Sequence, residues 1–200
     1  MRTVKQLMDR SGRTALITGA TGGLGLYIAE TIAELGGSLI LVDKPSTNYS
    51  ALIGKLKQYK CSTKCIDCDL ESDKQRTDLI NTIKDKDISV DILINNAAFV
   101  GTTDLKGWTT SFEDQSVDTW RRAIEVNLTA AFHLSKELYP QLKKSGKGSI
   151  INIASIYGVS APDHSLYEST SMGNPAAYSV SKGGLIQLTR WLSTTISPNV

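Results

Sequence analysis

The sequence has few of the residues that build metal sites and disulfide-bonded scaffolds. It contains three cysteines and two histidines among 200 residues. Cys61, Cys65 and Cys68 lie close together, but His133 and His164 are far from them in the sequence. A structural zinc site normally needs four such ligands. We therefore expect three reduced thiols, no metal centre and a cytoplasmic protein.

The chain also lacks an excess of charge and a long apolar run. Its 22 Lys and Arg residues nearly balance its 20 Asp and Glu residues, for a formal net charge of +2. Without a basic stripe, nucleic-acid binding has no electrostatic support. No apolar run approaches the roughly 20 residues of a membrane span, and the charged segment 1–13 is not a signal peptide. We expect neither a nucleic-acid nor a membrane partner.

What the sequence does have is an alternation of short apolar runs and longer helical patterns. The short runs predict five strands, at 14–17, 38–42, 64–68, 91–94 and 148–154. The longer patterns predict five helices, at 24–35, 49–59, 72–84, 117–143 and 175–196. Strands that are apolar on both faces and alternate with helices indicate a parallel sheet covered on both sides. The 200 residues are predicted to form one doubly wound α/β domain with three layers, α/β/α.

Cap and breaker residues set the expected ends of these elements. Ser72 is a suitable N-cap for the third helix. Asn174 is placed to cap the last helix, with Pro175 at the favoured first position. Pro140 is expected to interrupt the long fourth helix. The remaining long segments, 99–116 and 157–173, are predicted to be loops.

A glycine-rich turn joins the first predicted strand to the first predicted helix. It consists of Thr18-Gly19-Ala20-Thr21-Gly22-Gly23-Leu24-Gly25. In this position Gly19 allows a tight turn, and Gly22 or Gly23 lets a pyrophosphate approach the backbone. Gly25 lets the helix pack close to the strand. The free N–H groups at the start of the helix would bind the phosphates, so the turn predicts a dinucleotide site.

Acidic residues follow the next two predicted strands. Asp43 ends the second strand, where a carboxylate binds a ribose 2′-hydroxyl and repels a 2′-phosphate. We therefore predict NAD in preference to NADP, although the neighbouring Lys44 weakens that preference. Asp69 follows the third strand and is a candidate to contact the adenine amino group. A turn or helix-capping role is the alternative for Asp69.

A candidate proton-transfer group lies late in the chain. Tyr178 and Lys182 share one face of the last predicted helix. An ammonium group favours a phenolate beside it, which makes Tyr178 a candidate general acid or base. Tyr139 and Lys143 have the same spacing, but they lie beside Pro140 and are interpreted as surface residues.

Two further polar residues accompany this pair. Ser155 follows the fifth predicted strand, at the edge where open α/β sheets bind ligands. Its hydroxyl could orient a substrate oxygen, and an ordinary turn hydroxyl is the alternative. Asn127 is polar within an otherwise apolar helical segment. A buried amide needs hydrogen-bond partners, so a structural role is the alternative there.

These motifs resemble those of the classical short-chain dehydrogenases/reductases, in the same order and over nearly the whole chain. The matching pieces are Thr18-Gly19-x-x-x-Gly23-x-Gly25, Asn95-Asn96-Ala97-Ala98, Asn127, Ser155 and Tyr178-x-x-x-Lys182. Ala98 stands where glycine is commoner in the family. The resemblance implies a Rossmann-like fold and hydride transfer between a nicotinamide and a secondary alcohol or ketone.

The resemblance also implies a role for each site residue. Tyr178 would exchange the alcohol proton, and Lys182 would hold the nicotinamide ribose and favour the phenolate. Ser155 would orient the substrate oxygen, and Asn127 would support a water-linked proton path. The implied cofactor contacts are Gly19, Thr21, Gly22, Gly23, Leu24, Gly25, Asp43, Asp69, Leu70, Asn95, Ala97, Tyr178 and Lys182.

The chain departs from the family in two places. The stretch between Ser155 and Tyr178 is longer than usual and polar, with Asp163, His164, Tyr167, Glu168 and Ser171. Such a segment favours a hydroxylated small-molecule substrate, for example a sugar or polyol, and a surface insertion is the alternative. The chain also stops at Val200, where relatives continue with a sixth strand and a substrate-covering loop. We therefore expect a C-terminally truncated member.

Two other function classes stay open at this stage. One is a domain or fragment that binds NAD without catalysis. The other is an extended-type nucleotide-sugar epimerase or dehydratase, because Gly19, Gly22 and Gly25 also fit that spacing. The segment 95–98 and the short chain favour the classical branch. Relatives assemble as homodimers or homotetramers through helices matching 117–143 and 175–196, so we expect a homo-oligomer.

Overall fold

The five predicted strands form one sheet in the computed structural model, which describes residues 3–101, 105–170 and 172–200. The strands are β1 (Thr14–Thr18), β2 (Ser38–Asp43), β3 (Thr63–Asp67), β4 (Ile92–Asn95) and β5 (Ser149–Asn152). Their order in the sheet is β3-β2-β1-β4-β5, and the β1–β2, β1–β4 and β2–β3 pairs are parallel. The predicted doubly wound α/β class is therefore confirmed.

Helices lie before, between and after these strands. They are α1 (Val4–Met8), α2 (Gly23–Glu34), α3 (Ser50–Leu56), α4 (Asp73–Asp85), α5 (Val117–Ile124), α6 (Ala130–Lys144) and α7 (Ala176–Thr195). The strand order reverses between β1 and β4, and open α/β sheets bind ligands beyond the strand ends at such a point. The glycine-rich turn follows β1, and the segment 95–98 begins at the last residue of β4.

The chain divides into two compact units. The first comprises Met1–Ala97, Leu134–Ile151 and Pro198–Val200, and the second comprises Ala98–His133 and Asn152–Ser197. The glycine-rich turn and Asp43 belong to the first unit. Ser155, Tyr178 and Lys182 belong to the second.

The sheet's inner strands form the core of the first unit. In β1, Ala15, Leu16 and Ile17 are each 0% exposed, which the apolar run on both faces predicts. The edge strand β3 differs from that prediction, because Lys64 and Cys65 are exposed. An edge strand packs against fewer neighbours and tolerates polar side chains. Cys68, just beyond β3, is buried, and all three cysteines are free thiols.

The long helix predicted over 117–143 is divided, but not at Pro140. A π-helical turn over Glu125–Thr129 separates α5 from α6, and α6 continues through Pro140 to Lys144. Pro140 and Lys136 are both exposed. Water can therefore bind the Lys136 carbonyl to which Pro140 cannot donate a hydrogen bond.

The predicted cap of the last helix is wrong by one residue. Pro175 is the N-cap of α7. The Asn174 side chain accepts a hydrogen bond from the Ser179 hydroxyl at 2.8 Å instead of capping the helix. The Ala176 N–H of the first turn donates to the Gln115 side-chain oxygen at 3.1 Å. Gln115 is distant in sequence, so local cap rules could not identify it.

Two glycines of the turn before α2 should respond differently to alanine. A Cβ at Gly25 would lie 2.1 Å from the Gly19 carbonyl oxygen, whereas a Cβ at Gly23 would meet nothing within 4 Å. We expect Gly25→Ala to lower the free energy of unfolding by about 2–3 kcal/mol, because the helix must shift. Gly23→Ala should leave it unchanged or raise it by up to about 1 kcal/mol. Urea unfolding of both variants measures the difference, and equal losses of stability would contradict this packing.

Candidate active site

The glycine-rich turn packs tightly against the segment that follows β4. Gly19 has φ +62°, and a Cβ there would lie 2.8 Å from the Ala97 Cα. Both its left-handed backbone and this close approach require glycine. Ala97, predicted to line the cofactor site, therefore lies directly beside the turn.

The other side of the turn is open, which is what a bound pyrophosphate needs. Gly22 and Gly23 are exposed, and the nearest atom to a Cβ at Gly22 is the Gly19 carbonyl oxygen at 3.7 Å. Gly22 is the N-cap of α2 and offers no side-chain hydrogen bond to its first turn. The first N–H groups of a helix have no intrahelical partner and favour anions. The turn thus fits a dinucleotide phosphate, with Leu24 62% exposed beside it.

One side chain that the sequence analysis did not single out holds this turn in place. The Asn96 Nδ2 donates to the carbonyls of Thr18 and Gly19, both at 2.9 Å. The backbone N–H groups of Asn96 and Ala97 donate to Thr18 Oγ1, each at 3.1 Å. These bonds join the ends of β1 and β4. The position of Asn96 directly after an apolar strand was the one sequence signal that could have predicted this role.

Asn95 precedes Asn96 and is the last residue of β4. It is 6% exposed, and its Nδ2 donates to the Ser135 hydroxyl at 3.5 Å. Its neighbours along β4 are buried, so the residue belongs to the interior of the first unit. A direct contact of Asn95 with a cofactor stays a prediction.

The Asp43 carboxylate is bound to the glycine-rich turn. Its Oδ2 accepts from the Thr21 backbone N–H at 2.9 Å and from the Thr21 hydroxyl at 2.7 Å. Its Oδ1 accepts from the Lys44 N–H at 2.9 Å. Two residues predicted to contact the cofactor, far apart in sequence, are therefore in direct contact.

Asp69 makes the turn contacts that were the alternative to adenine binding. Its Oδ1 accepts from the Glu71 N–H at 3.0 Å, and its N–H donates to Gln75 Oε1 at 2.8 Å. Leu70 is 6% exposed, and its carbonyl accepts from the Arg76 guanidinium. The Leu70 side chain is thus part of the core, and adenine binding by either residue stays a prediction.

In the second unit, Lys182 is buried beside Tyr178. It is 2% exposed, its Nζ donates to the Ile153 carbonyl at 2.7 Å, and the Nζ lies 5.8 Å from the centroid of the Tyr178 ring. Burial disfavours the ammonium form and lowers the pKa of Lys182 from 10.5 to about 8. Tyr178 itself is half-buried.

The turn after β5 brings Ser155 towards the same helix. The Ser155 Oγ accepts from the Tyr157 N–H at 3.2 Å and caps a short 3₁₀ turn, Ile156–Gly158. A Cβ at Gly158 would lie 2.7 Å from the backbone carbon of Lys182. Gly158 therefore permits the turn to lie against α7, a role that no sequence motif predicted.

Asn127 makes structural hydrogen bonds, which was its alternative interpretation. It is 2% exposed within the π-helical turn. Its Oδ1 accepts from the Phe99 N–H at 2.6 Å, and its Nδ2 donates to the Ser181 hydroxyl at 3.0 Å. Ser181 in turn donates to the Tyr178 carbonyl at 2.8 Å. The Asn127 amide therefore braces the segment of α7 that carries Tyr178 and Lys182.

The long stretch between Ser155 and Tyr178 borders a cleft of about 660 Å³. Residues from three segments line it, among them Trp108, Phe112, His164, Tyr167 and Ser179. Ser179 places the cleft at the first turn of α7, which also carries Tyr178.

A hydrogen bond of 2.6 Å between the hydroxyl groups of Tyr157 and Tyr167 ties this stretch to the Ser155 turn. The stretch also contains a short 3₁₀ helix, His164–Tyr167, capped by Asp163. Ser171, noted among its polar residues, lies outside the described residues.

Comparisons with known proteins agree with the geometry. The family model described as short chain dehydrogenase matches residues 13–200. The chain belongs to the short-chain dehydrogenase family. It is 32% identical to an uncharacterised oxidoreductase of Bacillus subtilis over 178 residues, which are 89% of this chain and 63% of the relative. The chain thus spans less than two thirds of that relative's length.

Solved structures of the family share the fold. The NADP complex of RhlG from Pseudomonas aeruginosa matches with a TM-score of 0.80 and 26% identity, over 96% of this chain and 70% of that chain. An NAD⁺-bound xylitol dehydrogenase matches with a TM-score of 0.78 and 28% identity, over 94% of this chain and 66% of that chain. The Rossmann-like fold is therefore shown, and these two relatives bind different nicotinamide cofactors.

The described residues also bear on metal binding and membrane crossing. Among them, no group of three or more His, Cys, Asp or Glu side chains is placed to hold a metal ion. No helix in the described part of the chain has both the length and the apolar composition that a membrane crossing requires.

The lowered pKa of Lys182 predicts a pH-dependent stability. Between about pH 8 and 10.5, the unfolded chain keeps a proton on this lysine that the folded chain has lost. The free energy of unfolding contributed by Lys182 should therefore rise with pH across this window. We expect the stability difference between the natural chain and Lys182→Met to rise from pH 8 to 10 in urea unfolding. The exposed Lys143, as Lys143→Met, is the control; equal pH profiles for both variants would contradict the burial of Lys182.

Proposed function

We propose that this chain carries the cofactor-binding and proton-transfer residues of an NAD-dependent oxidoreductase acting on a secondary alcohol or its ketone. The observation that carries the proposal is the buried Lys182 ammonium beside the Tyr178 ring, with the Ser155 turn against the same helix. Burial of an ammonium group costs free energy unless the group is hydrogen-bonded or paired with an opposite charge. One of the three ammonium donors bonds the Ile153 carbonyl, which leaves two for a ribose hydroxyl.

The proposed chemistry assigns one task to each side chain. NAD, when bound, accepts or supplies the hydride at its nicotinamide ring. In the oxidation direction, the Tyr178 phenolate takes the proton of the substrate hydroxyl, and in reduction the phenol returns it. The ammonium donors of Lys182 that do not bond Ile153 would hold the nicotinamide ribose. The Ser155 hydroxyl donates to the substrate oxygen and fixes its position.

The proposed choice of NAD rests on Asp43. A carboxylate at the end of the second strand accepts a hydrogen bond from a ribose 2′-hydroxyl. The same carboxylate repels the dianionic 2′-phosphate of NADP. Gly22 and Gly23 lie at the start of α2 and would leave room there for the pyrophosphate.

The proposed substrate is uncharged and hydroxylated, such as a polyol or a sugar. Among the residues that line the 660 Å³ cleft in the described part of the chain, none is Lys, Arg, Asp or Glu. The lining combines hydrogen-bonding side chains such as Thr109, Asn174 and Tyr167 with the apolar Trp108 and Phe112. A carboxylate or phosphate on the substrate would find no Lys or Arg side chain there. Cytoplasmic location and homo-oligomeric assembly stay predictions.

Replacement of Tyr178 tests the proposed reaction. We expect Tyr178→Phe to lower kcat by at least about 100-fold, the usual contribution of a general acid or base. NAD affinity should change little, because the ring and its packing remain. Turnover is followed as NADH formation with neutral polyols and with hydroxy acids, and the neutral substrates should react faster.

The matched control is Tyr139→Phe, since Tyr139 and Lys143 have the same spacing on α6. This variant should keep full turnover. Full turnover of Tyr178→Phe would refute the proposed proton transfer. NAD binding without turnover of any alcohol by the natural chain would favour a non-catalytic binding domain instead.

A further inference from the structure

The carboxylate of Asp43 is already bonded inside the protein. Asp43 is the last residue of β2, and it is half-buried. Thr21 supplies two of its hydrogen bonds, from its backbone N–H at 2.9 Å and from its hydroxyl at 2.7 Å, both to Oδ2. The third comes from the Lys44 N–H to Oδ1 at 2.9 Å. The acidic group that would meet the ribose is therefore held in one orientation before any ligand binds.

The distribution of these bonds determines which oxygen a ligand can use. Each carboxylate oxygen accepts about two hydrogen bonds. The Oδ2 of Asp43 receives both from Thr21, whereas Oδ1 receives one from Lys44. A ribose hydroxyl would thus donate to Oδ1. Rotation of the carboxylate away from this position would break the Thr21 bonds.

The chemistry of the two cofactors makes that rotation important. A 2′-hydroxyl is a donor and benefits from a fixed acceptor, whereas a 2′-phosphate is repelled by a nearby carboxylate. A carboxylate that is free to turn could move away from the phosphate. The exposed Lys44 next to Asp43 would then supply a cation that attracts it.

We infer that Thr21 is a positioning residue for cofactor choice, which holds Asp43 in the orientation that admits NAD and rejects NADP. The inference rests on the proposed NAD-binding role of Asp43 and adds the reason for its selectivity. Thr21 lies in the glycine-rich turn, so one residue links the phosphate-binding turn to the group that binds the ribose. The hydroxyl is the part of Thr21 that a substitution can remove.

The test compares dissociation constants for NAD and NADP in four variants of the full chain by calorimetric titration. Thr21→Val removes the hydroxyl and keeps a β-branched side chain, and Thr21→Ser keeps the hydroxyl. Thr21→Val should reduce the preference for NAD over NADP by about tenfold, the effect expected from one lost hydrogen bond to a charged group. Thr21→Ser should keep the preference within about twofold of the natural chain. Asp43→Ala should abolish it.

The double variant Thr21→Val with Asp43→Ala separates positioning from a direct contact. If Thr21 acts through Asp43, adding Thr21→Val to Asp43→Ala should not change the ratio of the two dissociation constants. A further change would overturn the inference, because Thr21 would then act on the cofactor independently. Thermal unfolding without ligand verifies that each variant is folded, and Thr21→Ala replaces Thr21→Val if valine disturbs the turn.

The remaining outcomes distinguish this inference from the proposed function. An unchanged preference in Asp43→Ala would refute the role of Asp43, and the inference would fail with it. A preference that disappears in Asp43→Ala but survives in both Thr21→Val and Thr21→Ala would overturn the inference alone. Loss of preference in Thr21→Ser would also overturn it, because the hydroxyl would not be the cause.

Discussion

The position of the glycine-rich turn in the first unit depends on the amide side chain of Asn96. Its Nδ2 donates to two successive carbonyls, those of Thr18 and Gly19, where the chain leaves β1. Thr18 ends β1 and Gly19 follows it, and polar backbone groups that are partly buried need hydrogen-bond partners. By satisfying both, Asn96 fixes the glycine-rich turn against the end of β4. The first turn of α2 also packs against this side chain. A Cβ at Gly25 would lie only 2.9 Å from the Asn96 Nδ2, so the close packing requires glycine.

A second amide performs the corresponding task in the second unit. Asn127 bonds the Phe99 backbone and the Ser181 hydroxyl, and the π-helical turn around it presents the side chain to both. Such turns are rare and are often found at functional sites. In both units, amide side chains hold backbone segments that carry the candidate site residues: Asn96 is half-buried and Asn127 is buried. Glycines at 25 and 158 allow the close approaches between elements.

Periodicity predicted the regular part of this fold well. The inner strands are buried on both faces, so β1, β2 and β4 were visible as apolar runs, and their ends differ from the prediction by one residue. The predicted N-cap at Ser72 is confirmed, because its side chain accepts a hydrogen bond from the Gln75 N–H. The errors arise where long-range contacts decide. The π-helical turn, the continuous α6 at Pro140 and the Gln115 bond that replaces the Asn174 cap all depend on neighbours that no local pattern contains.

The same limit applies to the candidate site. Residue types and spacing predicted Ser155, Tyr178 and Lys182 as candidates for proton transfer, and their roles stay predictions. They could not identify Gly158, whose importance lies in the approach of a turn to α7, nor the Thr21 contact with Asp43. Asn127 shows the limit most clearly, since its two interpretations differ only in which atoms its amide meets.

The most direct test of cofactor binding is thermal unfolding of the 200-residue chain alone, with NAD and with NADP. A ligand that binds the folded state raises its stability, by about 2.7 kcal/mol at a concentration 100 times the dissociation constant. If the glycine-rich turn and Asp43 bind the cofactor as proposed, the chain should unfold in one cooperative transition that NAD shifts to higher temperature and that NADP shifts less. A transition unaffected by either nucleotide would contradict the proposal that the glycine-rich turn binds a nicotinamide cofactor.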